Sequence, residues 1–303
     1  MTGATYRGRF SPSPTGPLHF GSLVAALGSC LEARANNGQW LLRMEDVDEP
    51  RCSRVAASDM LKTLEACGFA WDGAVVWQSE RKPRYAELLD QLKSEDRVYP
   101  CACTRRELAD SSLTGLVLAA DGALVYPGTC REGLPPGRVA RAWRLRVDVA
   151  RVDFDDAIQD RVGQQLDCDV GDFVLLRADG YFAYQLAVVA DDADAGITHV
   201  VRGADLLDST PRQIFLQRCL GMTTPNYAHL PVAVNAQGEK LSKQTLAPAI
   251  DPATAGRQLH AALAFLGQSP PPELARVSVA EFWRWAHHHW TLTCVPKTRS
   301  IEV

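Results

Sequence analysis

The chain has 303 residues, of which 46% are hydrophobic and 22% are charged, so it is long enough for about two domains and too apolar to be disordered. No apolar run approaches the roughly 20 residues that a membrane-spanning helix needs, and the first residues lack the apolar core of a signal peptide. The nine cysteines are scattered and odd in number, which argues against a disulfide framework, and we therefore expect a cytoplasmic protein.

The formal net charge of −4 argues against a general nucleic-acid binder, but the charges are unevenly distributed. Six arginines fall between residues 131 and 151, and several acidic residues follow them. They form either a basic face that binds phosphates or an ordinary solvated surface, because phosphate binding needs charges that cluster in space. The arginines are Arg131, Arg138, Arg141, Arg144, Arg146 and Arg151.

The first informative stretch, residues 8–23, contains a strand end, a turn and a helix start. Residues 6–10 are typical of a short strand, and the three prolines and one glycine that follow stop both strand and helix. Residues 23–35 then carry apolar side chains at helical spacing and end at a stop signal, Asn36-Asn37-Gly38. A strand that leads through such a loop into a helix presents free backbone N–H groups and the positive end of the helix dipole, which suit a phosphate.

A second strand is predicted at residues 40–44, so that strand, helix and strand form a βαβ unit of a parallel sheet. Ligands of such sheets bind at the carboxyl ends of the strands, and Glu45, Asp46 and Asp48 directly follow this one. These acidic side chains either meet a ligand or cap the next helix. Further elements are predicted as helices at 53–67, with Ser53 as the cap, and 84–92, and a strand at 75–78.

After an irregular region, strands are predicted at residues 142–147 and 173–177, and we expect the main sheet to resume after them. Asp179-Gly180 indicates a hairpin turn. The next elements are a buried helix at 183–192 that ends in acidic residues, a strand from 198 that leads into a loop, and a helix from Thr210 to about 220 with Thr210 as its cap. A strand at 228–234, a mobile loop around Lys240, and helices at 258–266 and 282–289 complete the prediction.

Two motifs carry a family resemblance. Residues 14–23 resemble the HIGH signature of class I aminoacyl-tRNA synthetases in its glutamyl and glutaminyl form, with His19-Phe20-Gly21-Ser22 in the signature positions. Residues 240–244, Lys-Leu-Ser-Lys-Gln, resemble KMSKS, the second signature of that class. The loop departs from the family pattern at Leu241, which is nearly volume-neutral, and at Gln244, which removes a hydroxyl.

The resemblance implies that ATP activates glutamate in this site. His19, Lys240 and Lys243 take the catalytic positions, and ATP, with Mg²⁺ on its phosphates, is expected to contact His19, Gly21 and Lys243. Arginine pairs well with carboxylates, and the resemblance places Arg9 and Arg202 on the side-chain carboxylate of glutamate, Glu45 on its α-ammonium and Tyr184 at the pocket wall. An ordinary core aromatic (Tyr184) and a surface ion pair (Arg202) are the alternatives. The full set expected to bind glutamate is Arg9, Phe10, Ser11, Pro12, Ser13, Glu45, Tyr184 and Arg202.

Three cysteines and one tyrosine form a partial metal-binding pattern, and spacing alone leaves a zinc site and three inert thiols equally open. Zinc takes four ligands in a tetrahedron and accepts thiolates readily. Cys101, Cys103 and Cys130 supply three ligands, and Tyr126, four residues before Cys130, is placed to supply the fourth. The resemblance favours one structural Zn²⁺, because a related enzyme of the glutamyl branch binds zinc through the same arrangement.

We therefore expect an α/β protein with a Rossmann-like parallel-sheet catalytic domain, an inserted zinc-containing subdomain and a short helical C-terminal remnant. The first half of the catalytic domain is predicted at 1–97 and the inserted subdomain at 98–172. The second half, with the KMSKS-like loop, is predicted at 173–247 and the helical remnant at 248–303.

A full glutamyl-tRNA synthetase carries a large anticodon-reading module after the KMSKS loop, whereas residues 245–303 are all that follow here. The chain therefore resembles truncated paralogues of glutamyl-tRNA synthetase that activate glutamate without tRNA and transfer it to the queuosine base in the anticodon loop of tRNA(Asp). The implied partners are ATP, L-glutamate and the anticodon stem-loop of tRNA(Asp), with no membrane and no stable protein partner. The alternatives are a compact glutamyl-tRNA synthetase that charges a tRNA 3′ end and a non-catalytic paralogue that binds tRNA.

Overall fold

The computed structural model describes residues 5–104, 106–108, 125–148, 150–241 and 247–303. Its helices and strands alternate through most of the chain. The strands are β1 (Arg7–Phe10), β2 (Gln39–Met44), β3 (Val76–Trp77), β4 (Val98–Cys101), β5 (Ala142–Leu145), β6 (Arg151–Asp156), β7 (Asp160–Gln165), β8 (Phe173–Leu176), β9 (His199–Gly203), β10 (Asn226–Leu230), β11 (Val232–Val234) and β12 (Ser300–Glu302). The helices are α1 (Phe20–Ala35), α2 (Arg54–Ala66), α3 (Lys82–Ser94), α4 (Leu166–Asp169), α5 (Tyr184–Asp194), α6 (Thr210–Cys219), α7 (Ala255–Phe265) and α8 (Val279–His289).

Helix α1 lies at the centre of the molecule because its apolar residues recur at helical spacing. Leu23, Leu27 and Leu31 are fully buried in the largest core cluster. The helix begins three residues earlier than the apolar pattern predicts, since His19 caps it by accepting the Ser22 N–H at its Nδ1 atom (3.4 Å). It ends where predicted, and Asn37 takes a left-handed conformation there (φ 50°). The HIGH-like residues therefore stand at the N-terminus of a buried helix.

The parallel sheet predicted from the βαβ pattern is present. β1 pairs with β2 and β2 with β3, all parallel, and on the other side β9 pairs with β10 in the same sense. β9 lies beside β1, where the Thr198 N–H donates to the Arg7 carbonyl (3.0 Å). This order brings the carboxyl ends of β1, β2, β9 and β10 to one edge, where ligands of α/β sheets bind.

The strands between β3 and β9 in the chain belong to two different sheets. β4, β5 and β8 form an antiparallel sheet of their own, and the parallel pair β9–β10 of the main sheet follows them in the chain. The hairpin β6–β7, which was not predicted, lies between β5 and β8 in the chain and extends the main sheet, since β6 pairs with β10. The hairpin turn at Asp179-Gly180 is confirmed by the antiparallel bridge between Leu176 and Phe182.

Two local predictions need correction, and one strand was not predicted. Thr210 does not cap α6: it is the first residue of the helix, and its hydroxyl bonds to other side chains. The strand predicted at 228–234 is two strands that belong to different sheets, because Pro231 separates β10 from β11. The strand β12, which pairs with β11, was not predicted.

Two C-terminal helices pack against the core rather than extending away from it. Leu259 of α7 and Phe282 of α8 are fully buried in the cluster that contains α1, and the Trp283 indole donates to the Cys67 carbonyl (2.9 Å). Within the described residues, no helix is both long enough and apolar enough to cross a bilayer.

Candidate active site

A cavity of about 660 Å³ opens at the carboxyl ends of β1, β2, β9 and β10. Its size is that of an ordinary small-molecule site. Every described residue that the sequence predicted to bind glutamate or ATP lines it, whereas Lys243, with residues 242–246, lies outside the described residues. These lining residues are Arg9, Phe10, Ser11, Pro12, Ser13, His19, Gly21, Glu45, Tyr184, Arg202 and Lys240.

The loop after β1 is held in shape by the carbonyls of its prolines. Pro12 accepts the backbone N–H of Glu45 (3.0 Å), and Pro14 accepts that of Ser53 (2.9 Å). The loop is thereby joined to the end of β2 and the start of α2. It delivers the chain to His19, whose ring lies against Gly21: a Cβ atom on that glycine would approach the ring to 3.2 Å. The missing side chain at Gly21 therefore makes room for the imidazole.

One side of the cavity rests on a buried cluster of charges. Arg9, only 3% exposed, binds Asp192 through Nε (3.2 Å), and Arg43 Nη1 binds the same carboxylate at 2.6 Å. Arg43 also reaches Glu45 at 3.2 Å. Burial raises the pKa of Asp192, but the two guanidinium groups outweigh it and leave that pKa below its usual range. The pKa of Glu45 is raised, because burial outweighs its arginine neighbours.

Arg202 lines the same cavity and belongs to a second network. Its Nε donates to His229 Nε2 (3.0 Å), its Nη2 to the Thr210 hydroxyl (2.7 Å), and its Nη1 to the Tyr184 hydroxyl (3.4 Å). Arg202 is 5% exposed, so it does not form the surface ion pair considered from sequence. Tyr184 is half-buried at the cavity wall, and burial raises its pKa.

Lys240 lies at the cavity rim after a tight turn. The Leu241 N–H donates to the Ala233 carbonyl (2.8 Å), and Gly238 takes a left-handed conformation that favours glycine (φ 76°). The Lys240 ammonium binds the Asp205 carboxylate at 2.5 Å, with both side chains partly exposed. The Lys240 cation is therefore paired within the chain at the rim of the cavity that His19 also lines.

The thiols of Cys101, Cys103 and Cys130 form a compact cluster. Their sulfur atoms all lie within 4.8 Å of one another, and the Cys103 and Cys130 sulfurs are 3.7 Å apart. The Tyr126 hydroxyl lies 3.4 Å from the Cys101 sulfur and 3.5 Å from that of Cys103. Two sulfurs bound to one tetrahedral zinc at about 2.3 Å lie about 3.8 Å apart, so this spacing fits such an ion.

A guanidinium lies beside this cluster. Arg144 donates from Nε to the Cys101 sulfur (3.3 Å), and its carbon Cζ lies 3.8 Å from the centre of the Tyr126 ring. Burial raises the pKa of the Cys101 thiol, but hydrogen bonds with Tyr126 and Arg144 outweigh it, and the pKa is lower than usual. Burial and the neighbouring thiols raise the pKa of Cys103 to about 11, so of these two thiols Cys101 ionises more readily.

The arginines between 131 and 151 are mostly engaged within the chain. Arg131 binds Asp172 at 2.5 Å, Arg138 binds Glu107 at 2.8 Å, and Arg151 binds Asp153 at 3.0 Å. Arg144 is buried beside the cysteines. These pairs favour an ordinary charged surface over a basic face.

Sequence reasoning missed the acids and the histidine that hold the pocket arginines. Asp192 lies in the last turn of a helix and follows a run of buried residues, and an acid in such a run signals a buried partner. His229 stands within the buried strand β10, where the same argument applies. Asp156 gives no such signal, because its strand alternates exposed and buried residues.

Comparisons with known proteins show which sequences and folds this chain is similar to. The family model of the class I tRNA synthetases (E and Q), catalytic domain, matches residues 5–258. A glutamyl-Q tRNA(Asp) synthetase of Dechloromonas aromatica is 62% identical over 98% of this chain and 97% of that protein, and one of Chromobacterium violaceum is 57% identical over the same shares. The glutamate-tRNA synthetase structure of Elizabethkingia anophelis matches with a TM-score of 0.79 and 27% identity over 99% of this chain and 68% of that one.

Proposed function

The chain belongs to the class I tRNA synthetase (E and Q) catalytic-domain family, and we propose that it activates glutamate with ATP and transfers it to the queuosine base of tRNA(Asp). The observation that carries this proposal is the name of its relatives: a protein 62% identical to this chain, matched over 97% of its own length, is a glutamyl-Q tRNA(Asp) synthetase. The enzyme is then a ligase that works through a glutamyl-adenylate.

The glutamate pocket is supported by the charges that face the cavity. Arg9 and Arg202 both line it and offer guanidinium groups to the substrate carboxylate. Glu45, which lines the cavity beside Arg43 (3.2 Å), would hold the α-ammonium. Tyr184 would close the pocket through its hydroxyl, and the backbone of residues 10–13 would form its floor.

ATP would lie against the N-terminus of α1. Free N–H groups and the helix dipole favour phosphates there, and His19, Gly21 and the cation of Lys240 line the same part of the cavity. Lys243 would join them from the KMSKS-like loop. Mg²⁺ would arrive with ATP and supply further positive charge on the phosphates.

The reaction has two steps. A carboxylate oxygen of glutamate attacks the α-phosphorus of ATP, the bond to the pyrophosphate oxygen breaks, and pyrophosphate leaves while glutamyl-adenylate forms. His19 and the two lysines would stabilise the negative charge that builds on the departing group. A hydroxyl of the queuosine cyclopentene diol then attacks the acyl carbon, loses its proton and releases AMP.

We also propose that the cysteine cluster holds one structural Zn²⁺, with Cys101, Cys103, Tyr126 and Cys130 as ligands. The sulfur spacing and the thiolate-favouring neighbour Arg144 support this assignment. The ion would tie β4 to the segment around Cys130.

All nine cysteines are free thiols, which supports a reducing cytoplasmic location.

The decisive experiment supplies ATP, labelled glutamate and the anticodon stem-loop of tRNA(Asp), cut free of its acceptor arm. A stem-loop with queuosine should accept the label, and the matched loop with guanine should not. Label on the 3′ terminal ribose of intact tRNA, with none on the anticodon loop, would support a compact tRNA-charging enzyme instead. Binding of tRNA without any adenylate formation would support a non-catalytic paralogue.

A further inference from the structure

A chain of buried polar groups leads from the core to Arg202. Asp156 Oδ2 lies 2.5 Å from His229 Nδ1, and His229 Nε2 lies 3.0 Å from Arg202 Nε. The side chains of Asp156 and His229 are fully buried. Each ring nitrogen of His229 therefore has a protein partner, and neither contacts the cavity directly, since the residue does not line it.

The partners determine which nitrogen of His229 carries the proton. The Nε atom of arginine always bears a hydrogen, so His229 Nε2 accepts it and the Nδ1–H donates to Asp156. Asp156 is itself held by the backbone N–H groups of Ile158, Gln159 and His229, at 2.9 to 3.1 Å. The carboxylate thus fixes the tautomer of the ring that receives Arg202.

The other groups around the ring leave it neutral. Arg202 from β9 is the cation that faces it, and the Thr210 hydroxyl from α6 lies 3.1 Å from Nε2. Tyr227 stacks on the ring at 6.0 Å, and Phe154 meets it edge-on at 6.5 Å. Burial lowers the pKa of His229 to about 4, although Asp156 opposes the shift. A proton on Nε2 would point at the guanidinium.

We propose that Asp156 and His229 are positioning residues for Arg202, holding its guanidinium plane so that Nη1 stays on the Tyr184 side of the glutamate pocket. This inference rests on the proposed function. Arginine has several rotatable bonds, and a guanidinium fixed before the substrate arrives loses less conformational freedom on binding. Thr210 fixes Nη2 from the other side at 2.7 Å, so three groups orient the cation without touching the substrate.

The pairing of the hairpin β6–β7 with the main sheet positions Asp156. β6 pairs with β10 at a single register position, Tyr227 with Asp156, and this position delivers the Asp156 carboxylate beneath His229. An element between the two halves of the parallel sheet thereby supports a residue of the substrate pocket.

Two substitutions at one position test the inference. In His229→Asn the shorter amide occupies the place of Nδ1 and can still donate to Asp156, but nothing accepts from Arg202 Nε. In His229→Gln the amide oxygen reaches the place of Nε2 and can still accept from Arg202. We expect His229→Asn to raise the KM for glutamate at least tenfold, with the KM for ATP within twofold of wild type, and His229→Gln to raise the glutamate KM by clearly less.

The matched control is Tyr227→Phe, which removes a buried hydroxyl that accepts from Gln217 (3.2 Å) while keeping the ring that packs on His229. It should leave the KM for glutamate unchanged. Equal rises in the KM for glutamate and for ATP in His229→Asn would show a structural role only and overturn the inference.

A measurement on the unaltered protein covers the case in which the variants do not fold. Among the described residues, which include all seven histidines, His229 alone is fully buried. Nitrogen-15 histidine spectra should show one slowly exchanging Nδ1–H ring that stays neutral at pH 6 to 8. An Nε2–H tautomer for that ring would overturn the inference. Wild-type protein without glutamate-dependent pyrophosphate exchange would overturn the proposed function instead.

Discussion

At the scale of single residues, the pocket arginines are both held by buried partners. Asp192 is shared by Arg9 and Arg43, with the shortest contact at 2.6 Å, and Arg202 is held by a neutral histidine rather than by an acid. A buried carboxylate partner would compete with a substrate carboxylate, whereas a neutral acceptor leaves the charge of the arginine unbalanced. Arg202 is therefore the cation whose charge is more available to a substrate.

Replacing either pocket arginine tests its proposed contact with glutamate. Arg9→Ala and Arg202→Ala should each lower kcat/KM for glutamate activation. The fall should correspond to a loss of about 2 to 5 kcal/mol of transition-state stabilisation, because the substrate carboxylate would be left unpaired in a closed site. The KM for ATP should change little. Arg7→Ala is the control, since Arg7 lies on the same strand but binds Gln39 and the Ala195 carbonyl outside the cavity. Wild-type efficiency in both pocket variants would remove the assignment.

His229 also gives the protein a pH-dependent stability. Burial lowers its pKa from 6.5 to about 4 in the folded chain, so between these values the unfolded chain binds a proton that the folded chain does not. The contribution of His229 to the free energy of unfolding should therefore be fully present above about pH 6.5. It should decrease as the pH drops towards 4, by about 3 kcal/mol in total.

Urea unfolding at pH 7 and pH 5 measures this effect. His199, whose pKa burial also lowers, contributes in the same direction. The matched comparison is therefore His229→Gln, which keeps His199 and should show a shallower loss between the two pH values. An equal loss in the variant and the wild type would contradict the assignment to His229.

At the scale of elements, His19 caps the start of α1 and is also the residue proposed to contact ATP there. A Cβ atom at residue 21 would approach the His19 ring to 3.2 Å, so glycine leaves the ring uncrowded in its present position. Helix stability and ring position therefore make opposite demands on this position, since alanine is the better helix former.

Gly21→Ala separates these demands. The added methyl would lie 3.2 Å from His19 Cε1 and 3.3 Å from Nδ1, so we expect the ring to move and kcat for adenylate formation to fall at least tenfold. The Tm should stay unchanged or rise, because the helix gains up to about 1 kcal/mol in propensity. Gly256→Ala, at the second residue of α7, meets only ordinary contacts at 3.5 Å and 3.8 Å and should leave kcat unchanged.

The antiparallel sheet β4–β5–β8 carries the cysteine cluster at one end, and a bound ion should stabilise that end. Protein purified without chelators should contain about one zinc per chain, as a single four-ligand site requires, and Cys101→Ser should lose it and lower the Tm. Cys168→Ser, at an exposed thiol, is the control. Full stability and activity of a zinc-free preparation would return these thiols to the inert interpretation.

At the scale of the whole molecule, the described parts of the proposed glutamate and ATP sites come from one chain and one cavity. We therefore expect glutamate-dependent pyrophosphate exchange without any RNA. Addition of tRNA(Asp) should change the exchange rate by less than about threefold. A strict requirement for RNA would mean that the nucleic acid completes the site, which would contradict this prediction. Ribonuclease-treated protein provides the control for copurified tRNA.

The sequence alone determined the local features of this site. The strand, the proline-rich loop and the capped helix from Arg7 to Ala35 follow from neighbours in the chain, because periodicity, proline and glycine act over a few residues. The same reasoning placed Glu45 at a strand end. The signature motifs predicted which of these residues would meet at one cavity, and the described ones do.

Only the tertiary structure decided what lies behind the pocket. Asp192 is 183 residues from Arg9, and Asp156 is 73 residues from His229. No local pattern encodes such pairs, since they depend on which strands become neighbours and in what register. The same holds for β12, which forms a strand by pairing with β11. It also holds for the arginines after residue 130, whose ion partners depend on tertiary packing. Local chemistry can be predicted along the chain, whereas the partners of buried charges require the assembled sheet.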